Sequence, residues 1–250
     1  MDKQLNISVI GLGRFGSFWA REISKSANVF TYDINHEKLS SSSKFATPTS
    51  LNEALEKDYI ILTIPIREIE NFVRQNGDKI KSDSILIDSA SVKTPVVDWF
   101  EKLLPSNVNY FFTHPLFGPD SGSAGLKGLS ITLLPGKINY GKYLEFVKML
   151  ELLGLNILTL SPEEHDYLMA YNLNLIHLLG RSLALMNISS ISLKMNALTY
   201  LNRMSHYVVN DSKILFEDFF AYNPYSGKIA SDIKKNIDKI ISELPSIKGE

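Results

Sequence analysis

Asn6-Ile7-Ser8-Val9-Ile10-Gly11-Leu12-Gly13-Arg14-Phe15-Gly16, with Asp33 closing the next apolar run Val29-Phe30-Thr31-Tyr32, is the stretch that decides the fold. Asn6 to Ile10 reads as a strand, the glycines as a tight loop, and the residues to about Ser24 as a helix. A second strand then ends at the acid. This is the G-x-G-x-x-G fingerprint in the strand–loop–helix–strand–acid setting that dinucleotide binding requires. Gly11 permits the turn, Gly13 lets a pyrophosphate approach the backbone, and Gly16 lets the helix pack close. The N–H groups at the helix start receive the phosphates. Gly11, Leu12, Gly13, Arg14, Phe15 and Gly16 are therefore candidate cofactor contacts. Asp33 is placed to accept from an adenosine ribose, and its charge disfavours a 2′-phosphate, so NAD is expected rather than NADP.

Working outward, Lys38 to Ser43 reads as polar loop or frayed helix, and Ser50 caps a short helix over Leu51 to Lys57. Tyr59 to Ile64 is a buried strand stopped by Pro65, so Thr63 and Pro65 are expected at the cofactor cleft. A helix from Glu68 to about Gln75 leads to the strand Ser84 to Asp88, then Ser89-Ala90-Ser91-Val92-Lys93, and Thr94-Pro95 opens another helix. The aromatic run Val108 to Thr113 is the next strand and carries His114 at its carboxyl end, the edge where open α/β sheets bind ligands. Leu129 to Leu134, a helix over Tyr143 to Leu153 and Leu155 to Leu160 complete the alternation. Such alternation to about residue 160 predicts a doubly wound parallel Rossmann-type sheet.

At Ser161 the rhythm changes. Ser161-Pro162-Glu163-Glu164 has the form of a capping box, and the helix it starts is expected to run to about Met186. Asn174, His177 and Arg181 share a polar stripe on it at helical spacing. Further helices are expected over Ser192 to Val209, around Phe216 to Tyr222, and along Ile229, Ile233, Ile237, Ile240, Ile241 and Leu244. Residues 1–160 thus form an NAD-binding domain and residues 161–250 a smaller all-helical one, whose apolar faces suggest substrate binding and a homodimer.

The whole chain has 250 residues, 44% hydrophobic, a formal net charge of −1 and no cysteine. That balance offers no basic stripe for nucleic acid. No apolar run spans a bilayer, and Met1-Asp2-Lys3-Gln4 lacks a signal-peptide layout. The absent cysteines exclude disulfides and thiolate chemistry and make the cytoplasm the simplest location. The five histidines lack metal-ligand spacing, so no metal is expected.

A nicotinamide enzyme needs a group that manages the proton on the reacting oxygen, and His114 suits that role near pH 7. Ser91 ends a strand that can neighbour the His114 strand, so its hydroxyl can bond the imidazole or the substrate oxygen. The turn Pro119-Asp120-Ser121-Gly122 is expected to shape the substrate mouth, making Asp120 and Ser121 candidate contacts.

Gly11-x-Gly13-x-x-Gly16, Asp88-x-x-Ser91-Val92-Lys93, His114-Pro115-Leu116-Phe117-Gly118-Pro119-Asp120-Ser121-Gly122 and Glu164-His165-Asp166 together resemble the prephenate/arogenate dehydrogenase family. The segment Leu215 to Pro224 resembles that family's helical domain. The resemblance implies NAD-dependent oxidative decarboxylation of a cyclohexadienol on the route to tyrosine, with His114 taking the hydroxyl proton and Ser91 orienting the pair. It also implies a substrate contact from His177. Members commonly hold a substrate carboxylate with an arginine on a later helix. This chain has a non-basic residue near that position, with Arg203 about one turn away and Arg181 as the other candidate. Lys93 is open between the local turn and the ring carboxylate, and His165 between a structural role and a substrate contact. The competing readings are a two-domain oxidoreductase of the β-hydroxyacid dehydrogenase or imine reductase kind, and a non-catalytic NAD sensor. The hydroxyacid type wants a lysine on the long helix, and Ser161 to Met186 contains none.

Overall fold

The computed structural model describes residues 4–192 and 195–245. Met1 to Lys3, read above for a leader, and Leu193 and Lys194, read as part of a helix, lie outside the described residues. The chain divides into two compact units between Glu163 and Glu164.

In the first unit the elements run β1 (Asn6–Ile10), α1 (Arg14–Ile23), β2 (Asn28–Tyr32), α2 (His36–Ser41), β3 (Thr47–Pro48), α3 (Leu51–Ala54) and β4 (Tyr59–Leu62). They continue as α4 (Ile66–Asn76), β5 (Ile85–Asp88), α5 (Thr94–Leu103), β6 (Asn109–Pro115), β7 (Ser130–Leu134), α6 (Tyr140–Leu152) and β8 (Asn156–Thr159). The eight strands form one sheet in the order β3-β2-β1-β4-β5-β6-β7-β8. The crossover between β3 and β4 puts the sequence reversal beside β1, and the glycine loop leaves the sheet there.

Strand alternation sorts the core onto two faces. Ile7, Val9, Tyr59, Ile61, Ile85, Ile87, Phe111, Ile131 and Leu133 point one way and pack with Phe18, Trp19 and Ile23 of α1 and Phe146, Met149 and Leu150 of α6. On the other face Phe100 of α5 meets Tyr110 and Phe112 at ring separations of 5.6 and 5.3 Å. Burial on both faces is why these strands read as continuous apolar runs rather than clean alternations. Trp19 is 1% exposed, so truncating it to alanine is expected to cost about 3–5 kcal/mol.

The expectation of a uniformly parallel sheet needs one correction. β7 pairs antiparallel with β6, Thr132 opposite His114, and β8 runs parallel to β7. The connection from β6 to β7 contains turns but no helix. Without a crossover helix the chain returns beside its own strand in the opposite sense. Two smaller differences have local causes. Lys38 to Ser43 is mostly helical because Asn35 caps α2, accepting from the Glu37 and Lys38 N–H groups at 3.0 Å. β3 is only two residues long, too short to leave an alternating pattern, and its proline sits on an edge strand.

The second unit is helical: α7 (Pro162–Met169), a π-helical stretch (Ala170–Leu175), α8 (Ile176–Leu185), α9 (Asn196–Val209), α10 (Lys213–Tyr222) and α11 (Ser226–Ser242). The single long helix expected from Ser161 to Met186 is thus interrupted by a wide turn, which apolar periodicity does not disclose. Gly180 lets α8 and α9 approach closely, since a Cβ there would lie 2.7 Å from the Val208 side chain. Among the described residues no helix is long and apolar enough to cross a membrane.

Candidate active site

The carboxyl ends of β1, β4, β5 and β6 lie side by side, because these four strands are parallel neighbours. Each end delivers one part of the site. After β1, Gly11 adopts φ +102°, a left-handed backbone that a side chain would strain. A Cβ on Gly16 would come within 1.9 Å of the Gly11 carbonyl oxygen and 2.6 Å of Thr63 Oγ1, so only glycine lets α1 start this close to the strand. Gly13 is different, for the space beside it is open. No side chain caps the start of α1. An uncapped helix N-terminus with an open approach suits the diphosphate of a dinucleotide.

Two neighbours brace this loop. Thr63, just past β4, donates its hydroxyl to the Gly11 and Ile10 carbonyls at 2.6 and 3.1 Å. Asp33, just past β2, accepts from the Leu12 N–H at 2.5 Å and from the Asn35 N–H at 2.7 Å. The two backbone donors fix the carboxylate beside the glycine loop while leaving lone pairs for ribose hydroxyls. Leu12 is 2% exposed and so enters the core beneath the loop. Phe15 stacks on Trp19 at 6.1 Å. Pro65 is exposed and precedes α4 as its N-cap.

His114 lies within β6 and is 9% exposed. Its carbonyl accepts from Thr132 Oγ1 at 3.4 Å, which holds the backbone of β6 against β7. Ser91 follows β5, the parallel neighbour of β6. Its Oγ is buried and has no hydrogen-bond partner among the described residues. The sheet therefore brings Ser91 and His114 to adjacent strand ends.

At the same strand ends lies an ion pair with no exposure at either side chain. Lys93 Nζ donates to Asp88 Oδ2 at 2.5 Å and to the Thr113 carbonyl at 2.6 Å. Asp88 also accepts from the Ala90 N–H at 2.9 Å and the Thr113 N–H at 3.3 Å, and its carbonyl accepts from Thr113 Oγ1 at 2.7 Å. Burial pushes the Asp88 carboxyl up, while the Lys93 ammonium and the two N–H donors pull the other way. Lys93 thus serves the turn. Asp88 and Thr113 as its partners were not foreseen, because a charge closing an apolar strand reads equally as exposed.

Beyond β6, Arg14 Nη2 donates to both Asp120 carboxylate oxygens at 2.9 and 3.0 Å, joining the start of α1 to the turn after His114. Ser121 closes that turn on itself, its Oγ accepting from the Gly118 N–H at 3.0 Å. A Cβ on Gly122 would meet Phe18 at 2.5 Å, so glycine lets the turn settle against α1.

In the helical unit, the expected polar stripe faces inward. Asn174 donates to Ser226 Oγ, and Arg181 donates to the Val208 and Asp211 carbonyls at 3.1 and 3.0 Å while lying over the Phe216 ring at 4.5 Å. His177 is fully buried between Phe216 and Phe219, with its Nε2 3.3 Å from an Asp211 carboxylate oxygen. Asp211 lies in a loop without periodicity, so no sequence pattern marks it. Arg203 is exposed on α9 and has no ion pair or hydrogen bond among the described residues. His165 is buried and its Nδ1 lies 2.9 Å from Asp166 Oδ1, a packing role inside the unit.

A family model described as prephenate dehydrogenase, nucleotide-binding domain, matches residues 19–137, a span that includes Asp33, Ser91 and His114. The chain is 27% identical to arogenate dehydrogenase 2, chloroplastic, of Arabidopsis thaliana, covering 96% of this chain and 70% of that protein. It is 23% identical to arogenate dehydrogenase 1, chloroplastic, of the same plant, covering 96% of this chain but only 39% of that protein. Among solved structures, the prephenate dehydrogenase of A. aeolicus in complex with hydroxyphenyl propionate and NAD+ superposes with a TM-score of 0.76 at 20% identity, over 97% of this chain and 91% of that one. The last likeness speaks to the fold, and bears out a Rossmann-type unit followed by a helical one.

Proposed function

We propose that this chain, a member of the prephenate/arogenate dehydrogenase family, oxidatively decarboxylates a cyclohexadienol carboxylate, prephenate or arogenate, with NAD as oxidant. The observation that carries the reading is the row of parallel strand ends, with the glycine loop after β1, Ser91 after β5 and His114 at the end of β6.

The residues present fit a dinucleotide. The start of α1 and the open face of Gly13 would hold the diphosphate, Asp33 the adenosine ribose, and Thr63 and Pro65 would border the cleft. When bound, NAD supplies the acceptor for the hydride that leaves the carbinol carbon. His114 takes the proton of the carbinol hydroxyl at its imidazole, and Ser91 Oγ orients the imidazole and that oxygen. Hydride and proton loss make the carbinol carbon a carbonyl. The bond to the ring carboxylate then breaks, CO2 departs, and the released electron pair enters the ring. This turns the carbonyl into a phenol oxygen that takes back a proton, so the aromatic ring drives the step forward. At 9% exposure the His114 imidazole is largely shielded from bulk water.

Substrate contacts are assigned to Asp120 and Ser121 on the turn and, among the candidates His177, Arg203 and Arg181 of the helical unit, to Arg203, since His177 is fully buried. Arg203 is favoured as the carboxylate ligand, because the Arg181 guanidinium already serves two backbone carbonyls. Exposed Leu185, Met186, Ile191, Met195 and Tyr200 support a homodimer formed through the helical unit. A monomer mass at micromolar concentration would overturn that part. The cytoplasm remains the proposed location, on the cysteine-free sequence alone.

The deciding experiment is NADH formation with prephenate or arogenate as sole substrate. Turnover of either supports the reading, and failure with both refutes it. Replacing Asp33 with serine is expected to narrow the preference for NAD over NADP.

A further inference from the structure

We infer that Lys93 is a positioning residue whose ammonium holds the Ser91 loop and the His114 strand end in one fixed arrangement. The inference rests on the proposed reaction and adds to it a role for a side chain that touches neither substrate nor cofactor.

Ser91 and His114 come from different strands, and the β5–β6 ladder alone does not fix their mutual geometry. The β5–β6 register ends at Asp88 opposite Phe112, short of both residues. Past that point the two chains are joined by the Lys93 knot. One arm runs from Nζ to the Thr113 carbonyl, the peptide unit that leads directly into His114. The other runs to the Asp88 carboxylate, which accepts from the N–H of Ala90, the residue before Ser91. One ammonium therefore holds the peptide unit before His114 directly and the Ala90 N–H through the Asp88 carboxylate. Thr113 adds a second strap, its N–H and hydroxyl both bonding Asp88.

Stability alone does not call for this device. A buried ion pair seldom surpasses a well-packed apolar pair in net stability, because desolvation offsets the attraction. What a buried, fully bonded pair does supply is a single geometry. Lys93 and Asp88 are both fully buried at the carboxyl end of β5. The pair is bonded to Thr113, the residue before His114, and Lys93 is two residues from Ser91, where small displacements matter most, since misplacing reacting groups by about 1 Å costs on the order of 100-fold in rate.

The test replaces the pair without leaving a lone buried charge. Asp88→Asn with Lys93→Met keeps both shapes and removes the ammonium. This double variant is expected to fold, to bind NAD within about twofold of wild type and to keep its substrate KM within about threefold. Its kcat is expected to fall about 10- to 100-fold. Asp88→Asn with Lys93→Gln retains a donor for the Thr113 carbonyl, and its kcat is expected to lie between the two. A merely structural pair would move melting temperature and leave kcat alone. A Met pair that folds and turns over within about twofold of wild type overturns the inference. Should the Met pair not fold, the Gln pair decides. Its side chain is one bond shorter and cannot span both acceptors, so wild-type kcat there overturns the inference as well. Wild-type inactivity on both substrates would instead overturn the functional reading, and this inference with it.

Discussion

The ends of the parallel strands and the interior of the helical unit both bury polar side chains, and they treat them in opposite ways. At the strand ends Asp88, Lys93 and Thr113 are bonded to one another through four contacts of 2.5–3.3 Å. In the helical unit, His177 Nδ1, both polar atoms of Asn202, Asn174 Oδ1 and Arg181 Nε are buried without a hydrogen-bond partner among the described residues. Packing there comes from rings, with Phe216 and Phe219 5.9 and 4.8 Å from the His177 imidazole. The first region uses polarity to hold a single geometry. In the second, polarity costs stability, about 1–3 kcal/mol for each unsatisfied group. Ser91 Oγ belongs with the second pattern although it sits in the first region, which is what a hydroxyl meant for a reacting partner would show.

Four measurements would break or sharpen this contrast. The largest effect is expected for His114→Asn, with turnover about 10²–10⁴ lower and NAD affinity retained by calorimetry. Unchanged turnover would move the chemistry elsewhere. Next, Lys93→Met alone leaves the Asp88 carboxylate buried and unpaired, and urea unfolding should show a loss of about 3–5 kcal/mol. Asn202→Leu makes the opposite kind of change, removing two unsatisfied atoms. Its unfolding free energy should stay within about 1 kcal/mol of wild type. A large loss there would mean that Asn202 is as tightly used as Lys93, and the contrast would fail.

The smallest effect concerns an exposed group. Glu53 accepts from Thr49 Oγ1, the Ser50 N–H and Ser50 Oγ, and these bonds hold its carboxyl at about 2, below its ordinary value near 4.5. A lowered acid pKa stabilises the folded chain at higher pH. That contribution is complete above about 4.5 and disappears as pH falls towards 2. Glu53→Gln should flatten stability across that window and leave neutral pH little changed.

Much of the first unit was legible because its signals are local. Gly11, Gly13 and Gly16 stand at a spacing tied to one backbone conformation, and Asp33 follows a strand whose length is set by the sheet. His114 announced itself by a proline- and glycine-rich turn after an aromatic strand. The reversal of β7 was not legible, because the residues from Leu129 to Leu134 read as the same buried strand in either direction. The π-helical turn escaped for a related reason, since Asn174, His177 and Arg181 fit an α-helical stripe on paper. Arg181 shows the limit for side chains. Its composition fits a substrate clamp, yet its guanidinium meets the Val208 and Asp211 carbonyls from a distant turn.

By itself the sequence determined the dinucleotide loop, the alternation of strands and helices, and the two side chains assigned to the chemistry. Each of these depends on residues close along the chain and on backbone rules that act over a few peptide units. Only the tertiary structure decided that Lys93 faces Asp88 and Thr113 rather than a ligand, and that His177 lies among Phe216, Phe219 and Asp211. The physical reason is the same in both cases. A charged or polar side chain takes its role from partners that folding brings from remote segments, and those partners leave no periodic trace in the chain.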